Sequence, residues 1–338
     1  MAKHRYWRAV DPSFRHWPEA AIHIPPPAVA EAQDHRDRIA RKHIGLVRDR
    51  ATVDASDQRA SMSSFVLQVP VMRIALLQLD ANEVEGCATT GVLAARIFQL
   101  VEAAHRHNAD LVVFPEGYPF IVNTSTGEPP TLSSAISQLQ KLPHHPLAFV
   151  VGGYVMECER PRNASFLVHN GNVHAPYFKR VPWLDEPIES GTALLRWSWD
   201  EHQVIPLICA DVCVPWNSPD GRAAQMLGDA AALGAGPLCP LIVSTFGADL
   251  RKPYWTEPLR AWARACNAPV LVSAVAGRSV ATFEEDGEQR CYGGGGSGMY
   301  WFEEGQDREW PSTEDSEAVA MYVLDTMEPK SCWIPLDP

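Results

Sequence analysis

The chain has 338 residues, 46% of them apolar and 21% charged, with a formal net charge of -12. That length supports a sizeable buried core, the composition is that of a globular protein, and the negative charge argues against non-specific binding to nucleic acid, whose phosphates would be repelled. Arg, His and Pro interrupt the first 27 residues and no run of about 18 apolar residues follows, so a cytoplasmic protein without a membrane partner is expected.

Residues 1–70 read as an N-terminal arm, with eleven Lys and Arg against eight Asp and Glu, no Cys, and the run Pro25-Pro26-Pro27. Ile39, Ile44, Leu46 and Val47 stand among charges between Glu31 and Arg50, which predicts one exposed amphipathic helix on a linker too short for a core of its own. From there to about residue 330 strands and helices take turns. Residues 74–79 are a short apolar run, and Val92, Leu93, Ile97, Leu100, Val101 and Ala104 fall on helical spacing. A second strand over residues 111–115 ends in Glu116-Gly117, and a third over 147–151 is closed by Gly152-Gly153. Residues 166–169 and 173–178 flank Asn170-Gly171, a two-residue hairpin signal. Residues 204–208 form a buried strand that runs into Cys209. Helical periods over 220–233 and 255–267 are each followed by a strand, at 241–244 and 270–274, and strands at 298–302 and 318–324 close the domain. The glycines at 293–296 lack the spacing of a phosphate-binding loop and are expected to form a flexible rim. This alternation predicts a layered α/β fold with chemistry at the carboxyl ends of strands.

Eight cysteines are scattered between residues 87 and 332 without paired spacing, which reads as reduced thiols, and none is spaced with His as zinc ligands are, so no metal is expected. Cys209, at a strand exit, could face a cleft, where neighbouring charges would lower its pKa and supply a thiolate. Glu116 follows the apolar stretch Leu111-Val112-Val113-Phe114-Pro115, where partial desolvation suits a general base. Lys179, in Tyr177-Phe178-Lys179-Arg180, shares a strand face with Tyr177 and could oppose an oxyanion. Each has a bland alternative: an inert core thiol, a surface carboxylate, an exposed lysine.

Together the three segments resemble the nitrilase (carbon-nitrogen hydrolase) superfamily, which carries a Glu, a Lys and a Cys in that order. Phe114-Pro115-Glu116 looks like its glutamate motif, Tyr177-Phe178-Lys179 like its lysine motif, and Ile208-Cys209-Ala210-Asp211 with Pro215 like its nucleophile motif. Gly152-Gly153, Asn163-Ala164 and Ala263-Arg264-Ala265 match as well, and the resemblance covers about residues 71–326. It implies a four-layer α-β-β-α sandwich, a homodimer or larger homo-oligomer, and no cofactor. It also implies catalysis by Glu116, Lys179 and Cys209 on a small amide, N-carbamoyl compound or nitrile. Glu186 best matches the family's second glutamate, with Glu189 in reserve. Tyr177, Trp183 and the backbone at Ala210 are the expected substrate-binding positions.

Two departures stand out: Pro215 is followed by Trp216 where the family usually has Glu, and Pro206 occupies the region where a glycine is common. Cys213 is an alternative nucleophile, but only Cys209 has Asp at +2 and Pro at +6. Amide hydrolysis leads among the activities, with nitrile hydrolysis, acyl transfer to an amine and a non-catalytic scaffold as alternatives.

Overall fold

The computed structural model of the chain describes residues 72–81, 90–120, 128–157, 159–183, 186–217, 222–247, 250–251, 253–277, 282–285, 288–291, 294–311, 318–324 and 334–335. The N-terminal arm and its predicted helix lie outside these residues. β1 (Arg73–Asp80) is the apolar run near residue 74, and its six central residues are buried. α1 (Thr90–Arg106) ends with the basic residues His105 and Arg106, and the helix dipole favours the Arg106 cation there. β2 (Leu111–Val113) and β3 (Pro119–Phe120) lead to α2 (Leu132–Leu139), whose first turn is capped by the Thr131 hydroxyl accepting from Ser134 N. β4 (Ala148–Met156) and β5 (Pro161–His169) pair antiparallel over eight residue pairs. Asn170 and Gly171 both have positive φ, as the predicted two-residue turn requires, so His169 pairs with Asn172 at the start of β6 (Asn172–Val173). The chain then returns to the same strand through β7 (Tyr177–Phe178), where Ala164 meets Phe178 and Ser165 meets Tyr177.

The second half supplies β8 (Trp197–Trp199), β9 (His202–Ile208), α3 (Ala210–Asn217), α4 (Arg222–Ala232), β10 (Leu241–Ser244), α5 (Pro253–Cys266) and β11 (Val270–Ser273). β12 (Val275–Ala276), the ribbon of β13 (Thr282–Glu285) and β14 (Glu288–Cys291), then β15 (Gly298–Glu303), β16 (Gln306–Pro311), β17 (Ala318–Val323) and β18 (Ile334–Pro335) complete the described elements. The first sheet runs β18-β17-β1-β2-β4-β5-β6, and the second runs β16-β15-β11-β10-β9-β8. Each mixes parallel and antiparallel pairs, so this is a mixed α/β chain with two large sheets.

Alternation along β1 divides the core. Ala75, Leu77 and Leu79 pack with Ile97, Leu100, Val101 and Ala104 of α1, whereas Ile74 and Leu76 join a core shared with β9, β10, β11 and α5. Polar ties fix the two sheets at their carboxyl ends. Ser244 Oγ donates to Phe114 O at 2.9 Å, and Ser273 Oγ donates to Leu77 O at 2.6 Å. Gln78 Oε1 accepts from the amides of Gly296 and Ser297. The glycine loop is therefore no flexible rim: Gly295 N also donates to Val275 O, and Gly295 and Gly296 are buried. Its backbone donors satisfy a buried side chain of β1, which the composition of the loop could not show.

Candidate active site

The carboxyl ends of β2, β9 and β10 converge. Glu116 stands three residues past β2, its Oε2 accepting from Phe246 N beyond β10 at 2.9 Å. Cys209 follows β9 directly; its amide donates to Ser244 O, and its φ of 44° turns the chain from strand into α3. A non-glycine residue in that region is unusual and marks a strand-to-helix elbow. Lys179 is held by its backbone between Asn163 O and Gly191 N.

The side chains meet in a buried cluster. Lys179 Nζ lies 2.9 Å from Glu116 Oε1 and 2.8 Å from Glu186 Oε2, all three groups being under 9% exposed. Glu186 also accepts from Tyr154 OH at 2.8 Å and Trp183 N at 2.9 Å. Asn163 Nδ2 spans the two acids, at 2.7 Å from Glu116 Oε1 and 3.2 Å from Glu186 Oε1. Glu189, in contrast, points to Arg162 at 2.6 Å and is partly exposed, so Glu186 is the glutamate that joins Glu116 and Lys179.

The electrostatics follow from this packing. Burial opposes the charge on Lys179, but Glu116 and Glu186 outweigh it and hold the ammonium well above the usual lysine range. Burial likewise opposes ionisation of Glu186, yet Lys179 and the Trp183 and Tyr154 bonds bring its carboxyl below the usual value. Burial, followed by the charge of Glu186, pushes the Tyr154 hydroxyl well up, so it remains a donor.

Cys209 differs from the expectation. It is buried, and burial together with the charge of Glu116 pushes its thiol well up, against the opposing pull of Lys179 and a Thr245 bond. A thiolate is not waiting in this site. The thiol must give up its proton as it reacts, which calls for a base beside it.

Asp211, two residues after the cysteine, is fully buried and accepts four hydrogen bonds. Oδ2 receives Tyr177 OH at 2.7 Å and Ile208 N at 3.0 Å, and Oδ1 receives Arg180 N at 2.9 Å and Val181 N at 2.8 Å. Burial raises its carboxyl to about 6, with those bonds and Lys179 opposing the rise. Asp211 thus stitches the segment around Lys179 to the elbow around Cys209. Tyr177 is spent on this bond and wholly buried, Trp183 is half-buried beside Glu186, and Ala210 opens α3. Sequence reasoning missed Tyr154 and the bridging role of Asn163, since a neutral polar residue on a strand gives no signal of its partners. Among the described residues, no three His, Cys, Asp or Glu side chains are grouped to hold a metal ion.

This chain is similar in structure to a cysteine-to-serine mutant of the Nesterenkonia AN1 amidase from the nitrilase superfamily, with TM-score 0.55 and 21% identity over 74% of this chain and 90% of that chain. The fold is that of the nitrilase superfamily. A cysteine-to-alanine mutant of the amidase from Nesterenkonia sp. AN1 in complex with butyramide gives TM-score 0.54 and 19% identity, over 75% of this chain and 90% of that chain. The chain is also similar in structure to a glutamine-dependent NAD+ synthetase from Acinetobacter baumannii, at TM-score 0.53 and 16% identity over 79% of this chain and 49% of that chain. No protein-family model matches the sequence, and no curated protein matches it.

Proposed function

We propose that the chain is a hydrolase that cleaves the C-N bond of a small amide or N-carbamoyl compound through a thioester on Cys209. The observation that carries the reading is one buried ammonium, Lys179, shared by Glu116 and Glu186 and electrostatically coupled to Cys209 at a strained strand exit. A scaffold has no use for such an assembly, because a buried ion cluster without a task is weak support for stability. The nitrilase-type fold supports it too, as does the capture of butyramide by an amidase mutant of that fold.

In this reading Glu116 takes the proton from Cys209 as Sγ attacks the carbonyl carbon. Two of the three N-H groups of Lys179 go to carboxylates, which leaves one to meet the developing oxyanion, with the amide of Ala210 as second donor. Glu116 returns the proton to the nitrogen, the C-N bond breaks and the amine leaves. It then takes a proton from water, whose oxygen attacks the thioester; the C-S bond breaks and the thiol recovers its proton as the acid departs. Glu186 keeps Lys179 charged and oriented, and Trp183 lines the approach.

Ammonia release from a panel of aliphatic amides and N-carbamoyl compounds tests the proposal. Wild-type protein should turn over at least one of them, and Cys209→Ala should be inactive and folded. Turnover that survives in the variant would refute the mechanism.

A further inference from the structure

Asn163 is 1% exposed and spends its Nδ2 on the two acids. The orientation of its amide is fixed by chemistry, since the reverse would set Oδ1 against two carboxylate oxygens. Oδ1 itself is buried and has no hydrogen-bond partner among the described residues. A desolvated, unpaired carbonyl is costly, and a site that keeps one has a reason to need the other end of the side chain. The donors are unevenly shared. Glu186 has Lys179, Trp183 N, Tyr154 OH and the longer Asn163 contact; Glu116 has Lys179, Phe246 N and the shorter one. Removing Asn163 leaves Glu186 three donors and Glu116 two. Two carboxylates on one ammonium repel each other, so a neutral donor between them holds both without adding charge.

We infer that Asn163 is a positioning residue that holds and aims the Glu116 carboxyl, and that Glu116 depends on it more than Glu186 does. The inference rests on Glu116 being the base. The charged and titratable groups around Glu116 are Lys179, Glu186, Cys209 and Tyr154. Asp211 bonds Tyr177, Arg180, Val181 and Ile208 rather than Asn163, so the Asn163 variants leave its hydrogen bonds in place.

The test is the rate at which iodoacetamide alkylates Cys209 from about pH 5 to 9, read beside the pH profile of kcat/KM. Wild type, Asn163→Leu, Asn163→Ser and Glu116→Gln are compared, with circular dichroism confirming the fold. A carboxylate that loses a donor holds its proton more tightly, so Asn163→Leu should move the acid limb of both profiles up by about one pH unit. On the acid side of both limbs that is about a tenfold loss, which fades as the pH rises past them. Asn163→Ser, with one hydroxyl donor, should fall between, and it carries the test if Asn163→Leu fails to fold. An acid limb left in place, whether rates drop uniformly or not at all, overturns the inference while Glu116→Gln still loses its limb. If Glu116→Gln alkylates with the wild-type profile, the base itself is misassigned and the inference falls with it.

Discussion

Asp211 accepts four hydrogen bonds, three from both sides of Lys179 and one from Ile208 just before Cys209, so its carboxylate sets the spacing between the Lys179 segment and Cys209. Asp211→Asn keeps the shape but replaces one oxygen with an NH2 group. If the remaining oxygen serves Arg180 and Val181, the new donor faces the Ile208 amide, and Tyr177 can only turn to accept. The expected cost is about 1.5 to 3 kcal/mol of stability. Activity should drop by about a hundredfold, because small misplacements of reacting groups are expensive. Urea unfolding and turnover measured together check this; a variant of wild-type stability and rate would show that the stitch carries no strain. The residues named from sequence as reacting groups were legible because their types and order are chemically restrictive. Asn163 and Tyr154 were not, since their importance comes only from the carboxylates to which β5 and β4 bring them.

At the scale of elements, the segment from Glu186 to Gly191 presses the second acid onto the lysine. Gly191 N donates to Lys179 O at 2.7 Å, Glu189 N donates to Pro161 O at 2.9 Å, and a Cβ at Gly191 would collide with Phe178 O. Gly191→Ala should therefore lift the segment from β7 and cost roughly a hundredfold in rate. Glu189→Gln, which removes only a partly exposed partner of Arg162, should change stability by about 1 kcal/mol or less. If the two variants behave alike in turnover, close backbone approach is not what holds Glu186.

A second element-scale expectation concerns α1. His145 is buried against it, with Nδ1 accepting from Leu147 N and Nε2 bonded to Glu102, so the ring is neutral and donates to the acid. Burial lowers its pKa below 6.5, although Glu102 opposes the shift. The unfolded chain then binds the proton first as pH falls, so this contribution is intact above about 6.5 and is lost below it. Thermal melts should show wild type losing stability as the pH falls below about 6.5 relative to its neutral value, and His145→Phe losing less. Equal losses would place the acid sensitivity elsewhere. The strands that sequence made visible, β1, β2, β4, β9, β10, β11, β15 and β17, contain apolar runs buried within the sheets. β16, an exposed edge rich in charge, and the two-residue β3 carry no such pattern, while the strand expected over 173–178 is divided between β6 and β7.

For the whole molecule, two sheets tied at their carboxyl ends bring Glu116 from one and Cys209 from the other into a single site. The residues of that arrangement named above all follow residue 71, so deletion of residues 1 to about 65 is expected to leave a folded, active domain. Light scattering on both forms would reveal whether the homo-oligomer implied by the resemblance depends on the arm; an insoluble product would show instead that the arm covers apolar surface. Among the described residues no helix is long and apolar enough to cross a membrane. The mixed α/β architecture was legible because strand and helix periods alternate, whereas the ties between sheets, through Ser244, Ser273 and Gln78, join residues far apart in the chain and leave no local trace. The central claim is covalent, and the most direct measurement is rapid acid quench of the protein with small amides and N-carbamoyl compounds, followed by peptide mass mapping. The account predicts that the acyl mass of one substrate appears on the peptide at Cys209, persists with Cys213→Ala and vanishes with Cys209→Ala. An acyl group on Cys213, or steady turnover with no adduct on Cys209 at any quench time, would contradict it.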